Sequence, residues 1–318
     1  MSSAPGDIDL DVRPFLAHSV LSKVIPRSAV TVAWTQVRPG GRLSMRSSPT
    51  ASLLIVLVGK AQLIGRMERV VEQGDVVTIP SAQEYGLISV GALGLQALHV
   101  TFRNEGGADS ALNLRQLLLR NEVRLQIALA NPFFTLLREG RLDNERKRSM
   151  MRECARVFSD AFQAFLFVRQ GMCRDDDYIE AFEQHLREEL GHNKLLKVTR
   201  NSGAFEDPIL KAASSWFCHQ MLVLDNVDKA VVNLVLETAG YYLGALAGPA
   251  FVGEEGSEFF HTHAEADADH KDVGARLLEG QQPDTYARLQ RVLDSSWDML
   301  DTMTRRIAIL IENEECSS

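Results

Sequence analysis

The sequence predicts a fold in two parts: an N-terminal β-barrel or β-sandwich, then an all-α helical bundle. Short apolar and β-branched runs, separated by turns that contain Gly or Pro, fill the first hundred residues. Such spacing is typical of barrels and sandwiches. After the Gly- and Ser-containing segment 106–110, the apolar period changes from 2 to 3.6, which indicates helices. We therefore expect a β domain over residues 1–108 and a helical domain over residues 109–318.

The β domain is predicted from five apolar runs, at residues 29–34, 53–58, 61–64, 76–79 and 95–102. The segment from Gly74 to Pro80, preceded by Leu57-Val58-Gly59-Lys60-Ala61, resembles the cupin family over about residues 15–105. The metal ligands of that family are histidines, and Met45, Ser47 and Tyr85 stand near the expected positions instead. The resemblance therefore implies a cupin-like β-barrel without a metal, acting in dimerisation or as a lid.

The second part has eight predicted helices, bounded by Gly, Pro and capping residues. They are placed at about residues 111–129, 131–138, 144–171, 177–198, 207–222, 226–248, 255–279 and 283–313.

The composition excludes several functional classes. The chain has 318 residues, of which 45% are hydrophobic and 24% charged, as in ordinary globular proteins. A net charge of -8 argues against nucleic-acid partners, because phosphate binding needs a basic field. The acidic segment Met1 to Val12 lacks the apolar core of a signal peptide, and the apolar run Ser52 to Val58 is too short to span a membrane. We expect a cytoplasmic protein with a small-molecule substrate.

The candidate chemistry lies in the helical part. On a helix, His263, Asp267 and His270 occupy i, i+4 and i+7, which is one face. Asp267 and His270 form an acid-x-x-His pair, and Glu189 and His192 form a second one. Glu237 is a carboxylate inside an apolar run. Two such pairs with further carboxylates match the ligand logic of dinuclear iron or manganese sites in helical bundles. Each motif, taken alone, has an alternative interpretation: a polar contact at the surface, solvated histidines, or an acidic surface helix.

These residues resemble the haem-oxygenase-like di-iron oxidases and oxygenases, over about residues 110–313. The resemblance rests on the segments from His185 to His192 and from Phe259 to His270, with Glu237 between them. It implies two irons per chain, O2 as co-substrate, and a set of metal ligands and catalytic residues: Glu189, His192, Glu237, His263, Asp267 and His270. It also implies a labile carboxylate ligand, for which Glu153, Asp160 and Glu188 compete. His185 and His261 either orient ligands or are solvated.

The resemblance implies a non-haem di-iron oxygenase in specialised metabolism. Because cupin domains accompany some N-oxygenating members, N-oxygenation of an amine, guanidine or aminoimidazole is favoured. Oxidative C–C cleavage or desaturation of an amino or fatty acid is the first alternative. A cofactor-free oxidase similar to pyrroloquinoline-quinone synthase and a non-catalytic ligand sensor remain open. We also expect a homodimer and an external electron donor.

Overall fold

The computed structural model describes residues 30–48, 50–102, 109–196 and 205–313. Within these ranges, the side chains of residues 30, 102, 109–112, 264–273 and 283 lie outside the description. The first part of the chain forms antiparallel strands, and the five predicted apolar runs fall on four of them. They are β1 (Val30–Val37), β2 (Arg42–Arg46), β3 (Ser52–Gly65), β4 (Arg69–Glu72), β5 (Val76–Ile79), β6 (Tyr85–Ser89) and β7 (Leu95–Phe102).

The long strand β3 joins the two halves of the β domain. The strand order is β1-β7-β3-β6-β2, and β4 and β5 also pair with β3. Residues Ser52 to Gly59 of β3 pair with β5 and β7, whereas Lys60 to Gly65 pair with β4 and β6. Gly59 lies at this change of partner with φ +85°, and a Cβ there would meet the backbone of Gly94 at 1.9 Å. Only glycine fits at this position.

The remainder of the described chain is helical. The α-helices are α1 (Asp109–Leu129), α2 (Pro132–Arg138), α3 (Glu145–Met172), α4 (Asp176–Glu189), α5 (Pro208–Val223), α6 (Asn226–Ala247), α7 (Ser257–Arg276) and α8 (Pro283–Asn313). Short 3₁₀ helices follow α4 at His192–Leu196 and α6 at Gly248–Phe251. The predicted β-then-α organisation is confirmed, while a haem-oxygenase-like arrangement of the helices stays a prediction.

One predicted helix was wrong at its end. The periodicity predicted a helix over 177–198, but α4 stops at Glu189. Gly191 then adopts φ +91°, a backbone conformation that ends helices, and the 3₁₀ helix begins at His192. Glu189 and His192 are therefore joined by a turn and do not share a helix face.

Helix α6 is largely buried. Every residue from Val227 to Thr238 is buried, including Glu237. The helix packs along α7 and also contacts α2. By length and composition, Asn226–Phe251 would suffice to cross a membrane. An 18-residue window within it has a mean hydropathy of 1.3, but 61% of that window is buried in the fold. The apolar character of α6 is thus used in packing.

The chain divides into two compact units. One comprises Met1–Arg124 with Glu279–Ala287, and the other comprises Leu125–Leu278 with Arg288–Ser318. This division falls inside α1, whereas the composition change predicts a boundary at residues 108 and 109. That boundary stays a prediction.

Candidate metal centre

Two groups of potential metal ligands meet at Glu189 in the described part of the chain. One group is Glu189, His192 and His263, and the other is His185, Glu189 and Glu237. Within each group, the candidate ligand atoms lie within 4.8 Å of one another. A carboxylate that belongs to both groups stands where a bridge between two ions would stand.

Glu189 and His192 are held together by a turn that helix α3 fixes. His192 Nδ1 lies 2.9 Å from Glu189 Oε2, the distance of a hydrogen bond from the ring to the carboxylate. Gln163, on α3, donates to the carbonyl of Glu189 at 2.8 Å and accepts from the amide of Gly191 at 3.1 Å. Asn193 donates to Asp160 at 2.8 Å just beyond the turn. The turn therefore places His192 against Glu189.

Helix α7 brings His263 to the same carboxylate with a defined ring orientation. His263 Nδ1 lies 2.7 Å from the carbonyl oxygen of Phe259, one helical turn earlier. A carbonyl only accepts, so Nδ1 carries the proton and Nε2 of the neutral ring keeps its lone pair. Nε2 lies 3.9 Å from Glu189 Oε2. A hydrogen bond of this kind orients ligating histidines in metal sites.

The second group is built differently, because it contains a buried guanidinium. Arg169 on α3 donates to His185 Nδ1 at 3.0 Å and also to Asn233. His185 Nε2 lies 3.1 Å from Glu237 Oε1. The Arg169 guanidinium also lies over the ring of Phe182, 4.4 Å from its centroid. Burial lowers the pKa of Arg169 to about 10, opposed by the charge of Glu237, so the group is cationic at neutral pH.

The donor set suits a metal ion. Glu189 is 1% exposed, Glu237 is 3% exposed, and Arg169 is fully buried. Among the described side chains, two buried carboxylates stand beside one guanidinium, and an uncompensated buried charge is costly. A cation beside Glu189 would compensate the remaining negative charge. Mixed carboxylate and imidazole ligands are those of iron and manganese sites.

The predicted ligands have different outcomes. Glu189, His192, Glu237 and His263 are brought together, and the backbone of α7 includes Asp267 and His270, whose side chains lie outside the described residues.

The three carboxylates predicted to compete for the labile position lie elsewhere in this structure. Glu153 and Asp160 pair with Arg156, at 3.0 Å and 3.3 Å respectively. Glu188 is exposed and accepts from Gln184 at 2.9 Å. None of the three belongs to either ligand group, and the labile role stays a prediction.

An apolar cleft opens beside the cluster. Glu189, Glu237 and His263 form its polar end, and Ser159 adds a hydroxyl. The other walls come from α3, α6 and α7: Phe158, Phe162, Leu236, Gly240, Leu243, Gly244, Phe259 and Phe260. A small molecule with an apolar body and one polar group fits this lining.

Sequence reasoning missed Arg169 and Gln163, and left the role of His185 open. An arginine inside an amphipathic helix is ordinarily a surface residue, and only the fold shows that Arg169 is buried. Two sequence features could have indicated these roles. Arg169 stands on a predicted helix rich in phenylalanine, and His185 precedes His192 by seven residues, about two helical turns.

A separate polar cluster lies in the β domain, around Tyr85. Tyr85 accepts from Arg46 Nε at 2.9 Å and lies 3.5 Å from His99 Nε2, which is itself 2.7 Å from Ser52 Oγ. Burial, with a contribution from Arg46, lowers the pKa of His99 to about 4. His99 is therefore neutral at physiological pH.

No protein-family model matches the chain. An uncharacterized protein of Rickettsia prowazekii (RP592) is 27% identical over 194 residues, which cover 60% of this chain and 93% of that protein.

Similar solved structures include a protein with a double-stranded β-helix domain from Klebsiella pneumoniae. It is 17% identical, with a TM-score of 0.23, over 25% of this chain and 71% of that one. A cupin superfamily protein from Desulfitobacterium hafniense is 17% identical, with a TM-score of 0.22, over 24% of this chain and 69% of that one. Because both TM-scores are far below 0.5, neither likeness supports a conclusion about the fold or the activity of this chain.

Proposed function

We propose that this chain is a non-haem di-iron oxygenase that uses O2 to oxidise a small nitrogen-containing metabolite. The observation that carries the proposal is the position of Glu189, which belongs to two groups of carboxylate and imidazole ligands at the end of an apolar cleft. Glu189, His192 and His263 would hold one ion. Glu189 and Glu237, with Asp267 and His270 from α7, would serve the other.

Bound iron would supply the redox chemistry with O2, and the protein side chains prepare the site for it. His263 presents Nε2 because Phe259 holds its Nδ1–H. Arg169 offsets part of the carboxylate charge and donates to His185, whose Nε2 lies 3.1 Å from Glu237 Oε1. Phe158, Phe162 and the other apolar walls exclude water from the reacting end.

N-oxygenation is the reaction that we favour. A primary amine, O2, two electrons and two protons give a hydroxylamine and water, so an external electron donor is required. The cleft favours an amine with an apolar body, because Ser159 is the main polar wall group apart from the candidate ligands. A guanidine or an aminoimidazole fits if its nitrogen atoms face Glu189 and Glu237. The same lining also suits an aliphatic chain, which keeps oxidative cleavage or desaturation of an amino or fatty acid as the second candidate.

The test is a substrate screen with iron-loaded protein. Anaerobically loaded wild-type protein is mixed with a reductant, O2 and panels of amines, guanidines, aminoimidazoles, amino acids and fatty acids. Oxygen consumption and product masses are then measured. We expect a gain of oxygen atoms on nitrogen that depends on iron and is lost in His263→Ala. Turnover by iron-free protein would instead support the cofactor-free oxidase, and ligand binding without turnover would support the sensor.

A further inference from the structure

The two residues that flank His192 are each bound to helix α3. On one side, the amide of Gly191 donates to Gln163 Oε1 at 3.1 Å. On the other side, Asn193 Nδ2 donates to Asp160 Oδ1 at 2.8 Å. Residues 160 and 163 are three positions apart on one helix, so their side chains lie on the same face. One face of α3 therefore holds the segment that carries His192 from both directions.

Gln163 suits this turn because an amide side chain both donates and accepts. Its Nε2 donates to the carbonyl of Glu189 at 2.8 Å, while its Oε1 accepts from Gly191. Glu189 is the last residue of α4, and carbonyl groups at a helix end have no N–H partner within the helix. Gly191 adopts φ +91°, so the chain leaves the helix there and its amide takes a partner on another element. One side chain therefore joins both ends of the turn.

The ring of His192 lies between two other candidate ligands. Its Nδ1 is 2.9 Å from Glu189 Oε2, and its ring centroid is 5.4 Å from that of His263. His192 begins a 3₁₀ helix of five residues and so lies beyond the end of α4. Because hydrogen bonds within a 3₁₀ helix have poorer geometry than those of an α-helix, a neighbouring element has to fix its position. Helix α3 is that element.

We propose that Gln163 and Asp160 are positioning residues that fix the imidazole of His192 beside the carboxylate that both ligand groups share. This inference rests on the proposed function and deepens it, because it states what gives the first ligand group its geometry. Gln163 makes the larger contribution, since its two bonds are partly shielded from water, whereas the bond to Asp160 is exposed. Asp160 then acts through Asn193 and is not the labile ligand.

The decisive variant is Gln163→Met. Methionine has a similar length and removes both hydrogen bonds without adding a charge. We expect the affinity for Mn(II), measured by anaerobic equilibrium dialysis, to fall about tenfold, as is typical when a group that orients a ligand is removed. Gln184→Met is the matched control, because Gln184 is an exposed glutamine that donates to Glu188, and it should keep the wild-type affinity. An unchanged affinity in Gln163→Met would overturn the proposal.

The effect of Gln163→Met must pass through His192. In the His192→Ala background, the same substitution should change Mn(II) affinity less than about twofold, because the ring that Gln163 positions is absent. A tenfold loss in that background as well would mean that Gln163 supports the fold in general, and would overturn the proposal. Circular dichroism establishes that each variant is folded.

Asp160→Ala and Asp160→Asn separate positioning from direct metal binding. Asparagine keeps an oxygen that accepts from Asn193, but it replaces poorly a carboxylate that binds an ion. We expect Asp160→Ala to lower the affinity about threefold, the effect of one exposed hydrogen bond, and Asp160→Asn to keep the wild-type affinity. An equal loss of one ion equivalent in both variants would make Asp160 a metal ligand and contradict its positioning role.

One further measurement needs no metal. In metal-free wild-type protein, we expect a nuclear Overhauser effect between the rings of His192 and His263, whose centroids are 5.4 Å apart. Gln163→Met should lose this signal, because the turn that carries His192 is no longer held. An unchanged signal in Gln163→Met would overturn the inference even if ions bind. Wild-type protein that binds no ion would contradict the proposed function, and this spectrum would still test the inference.

Discussion

Replacing Glu189 by glutamine should remove metal-dependent stabilisation while leaving the fold intact. Glu189 is 1% exposed and is the carboxylate that both ligand groups share. Glutamine keeps its volume and one acceptor oxygen for the His192 ring, but removes the charge that attracts an ion. The metal-free protein also loses a buried negative charge, so its own stability should change little.

The magnitude follows from binding linkage. An ion at one hundred times its dissociation constant stabilises the native state by about 2.7 kcal/mol. In a domain of 150–250 residues, each kcal/mol raises Tm by about 2–4 °C. Wild-type protein should therefore gain roughly 5 to 10 °C under anaerobic Fe(II) or Mn(II), and Glu189→Gln should gain almost nothing.

The assay is a thermal melt followed by circular dichroism at several metal concentrations. Glu188→Gln is the matched control, because Glu188 is the adjacent carboxylate on the same helix but is exposed and accepts from Gln184. Glu188→Gln should keep the wild-type shift. A full metal-dependent shift in Glu189→Gln would refute the reasoning about the shared carboxylate.

Three further predictions concern single residues. His263→Ala should lower metal affinity at least tenfold in isothermal titration, whereas His261→Ala, at an exposed position of α7, should not. An equal loss of affinity in both variants would contradict the assignment of His263 as a ligand. Burial and Arg46 hold the pKa of His99 in the folded state near 4, below its ordinary value of 6.5. As the pH falls, the unfolded state therefore binds the proton first. The stability of the β domain should decrease from about pH 6.5 down to about pH 4. In thermal melts, His99→Gln should reduce the dependence of stability on pH in this range. An unchanged dependence would mean that other groups cause it. Asn131→Ala removes the cap of α2 together with hydrogen bonds to α8, and should lower the free energy of unfolding by about 2 kcal/mol in chemical denaturation. Asn144→Ala removes only the cap of α3 and should lower it by about 1 kcal/mol. Equal losses would contradict the contribution of the bonds to α8.

The fold class could be predicted because periodicity reports local structure directly. Apolar runs predicted β1, β3, β5 and β7, but not the short strands β2, β4 and β6. The helical period located most helices within a few residues. The end of α4 was missed, since apolar residues continue through Leu195 and Leu196 and the periodic pattern does not register that Gly191 leaves the helical region. A single glycine with positive φ outweighed the pattern.

The candidate site could be predicted in part, because buried polar residues conflict with their surroundings. Glu237 was identifiable as a carboxylate in an apolar run, and the structure places it beside His185. The role of Arg169 depends on the distance between α3 and α4, which no sequence spacing encodes. The same holds for Gln163, whose side chain binds a turn on another helix.

The most direct test of the central claim is anomalous diffraction at the iron edge from crystals prepared anaerobically with Fe(II). We predict a peak within bonding distance of Glu189 and His263, with His192 beside it and His185 still bonded to Arg169. Iron bound elsewhere in the chain, or no ordered iron at Glu189, would contradict the assignment of this cluster as a metal centre.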